Sequence, residues 1–453
     1  MSHTGDDQGQ FGVGSTRGGA AEAKSVRARH TQYLFPSVIN YYEEPLVLTD
    51  GRGLRIRDAE GREYLDFFGG ILTVSIGHAD DRVNAAVKAQ IDRLSHVSTL
   101  YPTLPVVELA ETLARLTPGR LTQSFFTASG TEADETAVMM AQLATGNSEL
   151  IALRHAYSGR SALAQSLTAH ASWRALPTQV AGIKHAHASY CYRCPMHLAY
   201  PSCGVACARD IEDLIRTTTT GRVAGMLAEP IMGVGGFIVP PPEYFEIAVG
   251  IVRTYGGVFI ADEVQTGFGR TGSRMWGIEH FGVQPDIMTM AKGIANGLPL
   301  GVTIATPEIA ASLKALTIST FGGNPVSCAA ANATIGIIER DKLAANAEDM
   351  GNRLRAGLEE IKRRHPHVVG DVRGMGLMQG VELVEDEVAG NRRPAKAATI
   401  RLFEETKKRR LLIGKGGLEG NVLRIAPALT VSEAEIDEAL RILDESFTAI
   451  GTA

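Results

Sequence analysis

The chain has 453 residues, of which 44% are hydrophobic and 21% charged, a balance typical of a folded protein with a sizeable core. Its 45 Lys and Arg residues against 50 Asp and Glu residues give a formal net charge of −5, so we expect neither nucleic acid nor a membrane surface as partner. No apolar run is long enough to span a bilayer. Five cysteines in so long a chain indicate a reducing compartment, and the predicted location is the cytoplasm.

The first 33 residues are rich in Gly, Ser and polar side chains and lack the apolar stretch of a secretory signal. They carry Asp6, Asp7 and Glu22, whereas transit peptides are poor in acidic residues. We therefore expect residues 1–33 to form a flexible tail.

Short apolar runs alternate with longer helical patterns over residues 86–335. The runs that read as buried strands are SFFTAS (124–129), ELIALR (149–154), AGMLAEP (224–230), GVFIADE (257–263) and DIMTMAK (286–292). Continuous apolar strands separated by helices predict a mostly parallel central sheet covered by helices, which is an α/β fold. These residues form the predicted large domain.

Residues 336–453 predict a smaller α+β domain. RHPHVVGDVRGMGLMQGVELV reads as a pair of strands and NVLRIAP as a third, and a capping box of Ser432 and Glu435 opens a terminal helix. The segment 34–85 is rich in turns and short strands, and we expect it to pack with this domain.

Ligands of such sheets bind beyond the carboxyl ends of the strands, so the residues that close each run are the candidate site. ASGTEADETAVMMAQLA passes from strand to helix at Ser129, where a turn of small residues offers backbone N–H groups and the positive end of the helix dipole to an anion. An ordinary helix cap without a ligand is the alternative.

Lys292 and Asp262 close two further runs. A lysine there is costly to bury unless it is paired or used, so it either reaches solvent or forms an imine with a carbonyl group. A lysine for an aldehyde, an acid for a pyridinium N–H and a helix N-terminus for a phosphate together indicate pyridoxal 5′-phosphate (PLP).

A competing motif is GFGRTG at residues 267–272, which matches G-x-G-x-x-G and has Asp286 near the spacing of a ribose-binding acid. The motif begins five residues after Asp262, and no convincing helix follows it. An NAD-dependent dehydrogenase is therefore kept only as a remote alternative.

Seven motifs occur in the order found in one family: ASGTEA, HAYSGRS, AEPI, ADEVQTGFGRTG, AKGIANGLPLG, STFGGNP and RGMGL. From about residue 34 to 447 the chain resembles the class III (ω-type) aminotransferases of PLP fold type I. Within that family, FGGILTVSIGH and GVGGFIVPPPEYF look most like the alanine–glyoxylate branch of mitochondrial type and its bacterial relatives.

The resemblance implies a role for each candidate residue. Lys292 would hold PLP covalently and then act as general base and acid, while Asp262 would pair with the pyridine nitrogen. The other implied contacts are Ser129, Gly130 and Thr131 with the phosphate, Tyr157 and Val264 with the ring faces, Gln265 with the ring 3-oxygen, Arg424 with a substrate carboxylate, and Thr320 with the phosphate of a neighbouring subunit. The site would thus need a homodimer, alone or within a tetramer.

The implied reaction is ping-pong transfer of an amino group from alanine, β-alanine or another ω-amino acid to pyruvate or glyoxylate. Many ornithine and 4-aminobutyrate relatives carry a glutamate that pairs with the equivalent of Arg424, but here Val234 occupies that place, while Glu229 is retained as a substrate-site residue. This weakens those two donors without removing them. A PLP mutase or decarboxylase on the same fold is a further alternative.

Four cysteines cluster with the spacing C-x2-C-x8-C-x3-C, namely Cys191, Cys194, Cys203 and Cys207. Such close pairs suit a four-thiolate zinc site, but the spacing is not that of a standard finger or ribbon. Because the predicted chemistry needs no metal, we expect reduced thiols here and no metal at the catalytic site.

Overall fold

The computed structural model describes residues 19–177 and 179–451. The described N-terminal part, up to residue 116, contains four helices and three short strands. These are, in chain order, α1 (Ala20–Tyr33), β1 (Leu48–Arg52), β2 (Arg55–Asp58), β3 (Glu63–Asp66), α2 (Gly69–Leu72), α3 (Asp81–Arg93) and α4 (Leu104–Leu116). β1, β2 and β3 form an antiparallel sheet. None of the helices within the described residues combines the length and apolar composition needed to cross a membrane.

Helix α1 corrects part of the expected flexible tail, whose residues 1–18 lie outside the described residues. Its sequence AAEAKSVRARHTQY has strong helix formers but no apolar stripe, so periodicity gives no signal for it. Ala23 is buried, and Arg27 pairs with Glu44 at 2.5 Å and donates to the Pro45 carbonyl at 3.3 Å. The helix therefore contacts residues 44 and 45 of the segment that follows it.

Seven strands form the central sheet: β4 (Gln123–Thr127), β5 (Leu150–Leu153), β6 (Ile183–Ala186), β7 (Gly225–Ala228), β8 (Val258–Asp262), β9 (Ile287–Met290) and β10 (Gly301–Ala305). Their order is β4-β10-β9-β8-β7-β5-β6. All neighbouring pairs are parallel except those made by β10, which runs antiparallel to β4 and β9. The predicted mostly parallel sheet is confirmed.

Helices cover this sheet, and every residue of β5, β7, β9 and β10 is buried, whereas the edge strands β4 and β6 are partly accessible. They are α5 (Gly130–Thr145), α6 (Ala162–Leu167), α7 (Ala206–Thr218), α8 (Tyr244–Thr254) and α9 (Pro307–Ala310), with 3-10 turns at Ala171–Trp173, Cys191–Arg193, Gly277–Phe281 and Lys292–Ala295. Helix α5 lies against β8, β9 and β10 and is capped by the Ser129 side chain, which accepts the Glu132 N–H. Its N-terminus is thus held at the carboxyl end of the sheet.

Residues 325–451 form another sheet with helices, called the C-terminal layer below. Its elements are α10 (Pro325–Arg340), α11 (Leu343–Arg364), β11 (Val369–Met375), β12 (Met378–Asp386), β13 (Asn391–Pro394), α12 (Lys396–Lys408), β14 (Leu411–Leu412), β15 (Gly414–Gly416), β16 (Val422–Ile425) and α13 (Glu433–Gly451). Strands β11, β12, β16 and β15 form an antiparallel sheet, with β13 beside β12. The predicted capping box is present at α13, where the Glu435 carboxylate accepts the Ser432 N–H at 2.9 Å.

The N-terminal segment joins this C-terminal layer directly. β14 pairs in parallel with β3, aligning Leu411 with Leu65. The guanidinium of Arg55 contacts Glu438 of α13, and the ring of Tyr41 packs on Phe403 at 5.7 Å. The predicted start of the small domain at residue 336 falls within the continuous helix α10.

Candidate active site

The carboxyl ends of the parallel strands meet at one cavity of about 730 Å³. The strand register aligns Ala228 with Ala261 and Asp262 with Thr289, so the residues that follow β7, β8 and β9 share one edge. All of the predicted site residues except Thr320 line this cavity: Ser129, Gly130, Thr131, Tyr157, Glu229, Asp262, Val264, Gln265, Lys292 and Arg424.

Asp262 lies at the floor of the cavity and is 3% exposed. Burial raises the pKa of its carboxyl to about 6, while the Val264 N–H, which donates to it at 3.0 Å, and the Lys292 amine lower that pKa. Asp134 of α5 lines the cavity as well; it accepts the Thr289 hydroxyl at 2.7 Å, and burial together with the charge of Asp262 raises its pKa well above the usual range. A buried carboxylate of this kind is stabilised by a cationic ligand.

Lys292 follows β9 and has a φ of +43°, a left-handed conformation that non-glycine residues rarely adopt. Lys292 lines the cavity. Burial lowers the pKa of its amine, and the carboxylates of Asp262 and Glu229 partly oppose that shift. A Cβ on the next residue, Gly293, would lie 2.5 Å from the Ser75 hydroxyl and would displace it. The lowered pKa favours the neutral, nucleophilic amine.

The N-terminus of α5 forms the side of the cavity. The backbone N–H groups of Gly130 and Thr131 make no hydrogen bond to any other residue of the described chain. A Cβ on Gly159 would lie 2.2 Å from the Thr131 hydroxyl, and one on Gly130 would approach the Val264 side chain to 3.2 Å. Only glycine therefore fits at position 159, and the free N–H groups suit an anion such as phosphate.

Arg424 of β16 enters the cavity from the C-terminal layer and is 3% exposed. Its guanidinium lies 5.1 Å from the Phe68 ring centre and 4.8 Å from that of Phe237, and its Nη2 donates to the Gln265 side-chain oxygen at 2.6 Å. Burial lowers its pKa to about 10, so the group remains cationic at neutral pH. Its buried Nε has no hydrogen-bond partner in the described structure, which leaves the guanidinium ready for a second, anionic acceptor.

Glu229 lies in the wall of the cavity and is buried. Its two carboxylate oxygens accept the backbone N–H of Tyr157 at 3.1 Å and that of Gly233 at 2.8 Å. Burial, followed by the charge of Asp262, raises its pKa to about 8. The side chain thus fixes two loops of the site.

Tyr157 and Val264, for which the resemblance implies contacts with the two ring faces, both line the cavity. Both are half-buried, and the Tyr157 ring meets the edge of Trp173 at 5.6 Å. Thr320 lies on an exposed loop before α10 and does not line this cavity.

Several lining residues escaped the sequence analysis, among them Tyr41, Ile71, Trp173, Lys415 and Asp134. The α2 turn, Gly69–Leu72, has positive φ at all four residues, from +56° to +68°. A left-handed turn costs about 1–2 kcal/mol for each residue with a side chain. The only signal for it was the Gly-Gly pair in FGGILTVSIGH, whereas Asp134 had a signal as an acid on the buried face of α5.

The dehydrogenase motif has a structural role in this fold. A Cβ on Gly272 would lie 3.0 Å from the Glu348 backbone, and buried Arg270 donates to the carbonyls of Leu377 and Pro427. The loop 267–272 therefore packs on the C-terminal layer, and none of its residues lines the cavity.

The cavity fits PLP by the chemistry of its donors. It offers a buried acid for a protonated ring nitrogen, an amine with lowered pKa for an aldehyde, and unpaired backbone N–H groups for a phosphate. The glycine at position 159 leaves no side chain where the anion would approach.

The comparisons with known proteins agree with this fit. Residues 38–447 match the family model for class III aminotransferases. The chain is 42% identical to alanine–glyoxylate aminotransferase 2 homolog 2, mitochondrial, of Arabidopsis thaliana, covering 94% of this chain and 88% of that protein. It is 38% identical to the human alanine–glyoxylate aminotransferase 2, mitochondrial, covering 92% of this chain and 85% of that protein.

A solved structure of a Bacillus anthracis aminotransferase superposes with a TM-score of 0.88 at 29% identity, covering 95% of this chain and 99% of that one. Fold, cavity and sequence agree on one enzyme class, and PLP is its cofactor. The chain belongs to the class III aminotransferases.

Proposed function

We propose that the enzyme transfers the amino group of alanine, β-alanine or a related ω-amino acid to pyruvate or glyoxylate. The two relatives named above are alanine–glyoxylate aminotransferases by name, which supports this substrate class. A 4-aminobutyrate aminotransferase of Escherichia coli is 35% identical, so 4-aminobutyrate is the second candidate donor.

The state of Arg424 carries the proposal. Among the described residues no carboxylate forms an ion pair with it, and its nearest hydrogen-bonding partner is the neutral amide of Gln265. Val234, which occupies the place of the gate glutamate, is apolar, and its carbonyl accepts the Gly417 N–H at 2.9 Å. The guanidinium is therefore available for a substrate carboxylate in both half-reactions.

The cofactor, when bound, supplies a ring that withdraws electrons from the substrate carbon next to the transferred nitrogen. We assign Asp262 to the ring nitrogen, the Gly130 and Thr131 N–H groups to the phosphate, and Gln265 to the 3-oxygen.

Lys292 acts on the substrate itself. In its neutral form the Nζ takes the proton from the substrate carbon and then holds it as the conjugate acid for return. Arg424 fixes the substrate carboxylate so that this carbon faces the amine, and the buried floor keeps water from the reacting atoms. A keto acid that enters after the oxo product has left uses the same groups in reverse.

We also propose a homodimer in which Thr320 of one subunit faces the phosphate of the other. Thr320 lies within an exposed apolar surface formed by two segments that are joined by a hydrogen bond of 3.0 Å from the Ser319 N–H to the Thr99 hydroxyl. The exposed residues of this surface are Leu100, Tyr101, Leu104, Leu316, Ile318 and Phe321. A monomer in sedimentation that retains full activity would contradict the dimer.

A panel of donors and acceptors tests the substrate class. Alanine, β-alanine, 4-aminobutyrate and ornithine are each offered with pyruvate and with glyoxylate, and the two half-reactions are followed separately by the absorbance of the cofactor. We expect alanine or β-alanine to give the highest kcat/KM. A clear preference for ornithine would refute the proposal.

A further inference from the structure

The four clustered cysteines have no role in the aminotransferase reaction. All four line one small cavity of about 20 Å³, which has room for a single ion. Among the described residues, this cavity shares no lining residue with the PLP cavity. Its lining has no charged side chain and consists of the thiols, the Met196 thioether, and aromatic, aliphatic and small residues. Soft sulfur donors around a pocket of this size suit a thiophilic metal ion.

The backbone brings the two pairs of cysteines together by tight turns. Cys191 begins a 3-10 turn that leads to Cys194, and Cys203 lies four residues before Cys207, which is in the first turn of α7. Val205, between the members of the second pair, has a φ of +54°, which is unfavourable for a β-branched residue. The regular secondary structure of residues 187–205 consists of a single 3-10 turn.

We propose that Cys191, Cys194, Cys203 and Cys207 together bind one structural Zn²⁺ ion in a tetrahedral four-thiolate site. Within the described residues no three His, Cys, Asp or Glu side chains are arranged so that they could hold a metal ion, so the four thiols would have to reorient on binding. One Zn²⁺ and four thiols give a tetrathiolate complex of charge −2 and four protons released to solvent. All four cysteines line this one cavity although their spacing is not that of a standard finger.

The ion would fasten the neighbouring aromatic and basic residues to the C-terminal layer. Tyr190 and Arg193, on either side of Cys191, both hydrogen-bond the Glu382 carboxylate of β12. Glu382 also accepts a hydrogen bond from Arg373 at 2.8 Å. The Nε of Arg373 in turn donates to the carbonyl of Gly236 at 2.8 Å, and Gly236 lies in the loop that carries Val234. Loss of the ion is therefore expected to lower thermal stability more than catalytic chemistry.

The test is metal analysis of the PLP-loaded enzyme produced in zinc-supplemented medium and dialysed. We expect about one zinc per chain, loss of zinc in Cys191→Ser and in Cys203→Ser, and retention in Cys328→Ala, whose thiol lies in α10 outside the cluster. Independently of any variant, wild-type enzyme stripped with a chelator under reducing conditions and titrated with Co²⁺ alone should develop the intense visible bands of tetrahedral cobalt thiolate.

Either of two results would overturn the proposal. One is wild-type enzyme that contains no stoichiometric zinc and takes up no tetrahedral Co²⁺. The other is zinc that all variants retain equally, which would place the metal elsewhere. If the substrate panel refuted the proposed amino donors, the zinc content and the Co²⁺ spectrum would not change, so the two proposals can fail separately.

Discussion

The floor and the mouth of the PLP cavity are built in different ways. The floor consists of residues at the ends of β7, β8 and β9, held by parallel neighbours and almost fully buried. The mouth combines the N-terminal segment, the turn at 170–173 and residues 415–420 of the C-terminal layer, and it includes exposed side chains such as Ile71 and Trp173. Under the proposed function, the floor provides the chemistry and the mouth with Arg424 selects the substrate.

The largest effect is expected at the floor. Asp262→Ala removes the acid assigned to the ring nitrogen, and the cost of a lost preorganised charge is on the order of 10²–10³-fold in kcat. The rates of both half-reactions should fall for every substrate, with or without a carboxylate. Rapid-mixing absorbance measures each half-reaction, and Asp262→Glu is the control that keeps the charge. A decrease of less than about fivefold would remove Asp262 from the chemistry.

Arg424 should separate substrates where Asp262 does not. Arg424→Lys keeps the charge but loses the bidentate fork, and we expect kcat/KM for alanine and pyruvate to fall about 10–100-fold. An amine donor without a carboxylate should change by less than about threefold. Steady-state kinetics on both donor types checks this, and equal losses would contradict a carboxylate-binding role.

Val234→Glu sharpens the same comparison because it places a carboxylate near Arg424. The new ion pair competes with substrate, and a pairing of about 1–2 kcal/mol corresponds to a loss of roughly 5–30-fold in kcat/KM for alanine. Val234→Gln is the matched control of the same size without charge. If both variants lose activity equally, the effect is steric and the free state of Arg424 is unimportant.

The smallest effect concerns the pH dependence of stability without PLP. The Glu229 pKa is raised from 4.5 to about 8, so the folded chain binds a proton that the unfolded chain releases. This contribution is complete below about pH 4.5, and it is lost as pH rises toward about 8. Urea unfolding at about pH 5 and pH 8.5 should show a wild-type decline of a few kcal/mol at most that is reduced in Glu229→Gln. An equal decline in both would assign it to other groups, Asp262 among them.

The floor was predictable because its residues are local in sequence. Asp262 and Lys292 each close an apolar strand, and a parallel sheet brings such ends together without further information. Arg424 could be assigned only through the family resemblance, since its contact with Gln265 spans 159 residues. The left-handed turn of α2 was not predictable either, because Ile71 is an exposed β-branched residue with positive φ and no sequence pattern indicates that conformation.

Other misses have the same origin. Helix α1 was missed because it lacks an apolar stripe. Its ion pair between Arg27 and Glu44 is a tertiary contact that no sequence pattern indicates. Trp173 and Lys415 reach the cavity from segments that carry no strand-end signal. Thr320 stays a prediction, since its proposed contact needs a second subunit.

The central claim is that the Lys292 amine bonds to PLP, and borohydride reduction of the loaded enzyme tests it directly. Peptide mass spectrometry should find the pyridoxyl group on Lys292, and Lys292→Ala should bind PLP without this bond and lose about 10⁴-fold or more in turnover. A label on another lysine such as Lys415, or Lys292→Ala turnover within tenfold of wild type, would contradict the account.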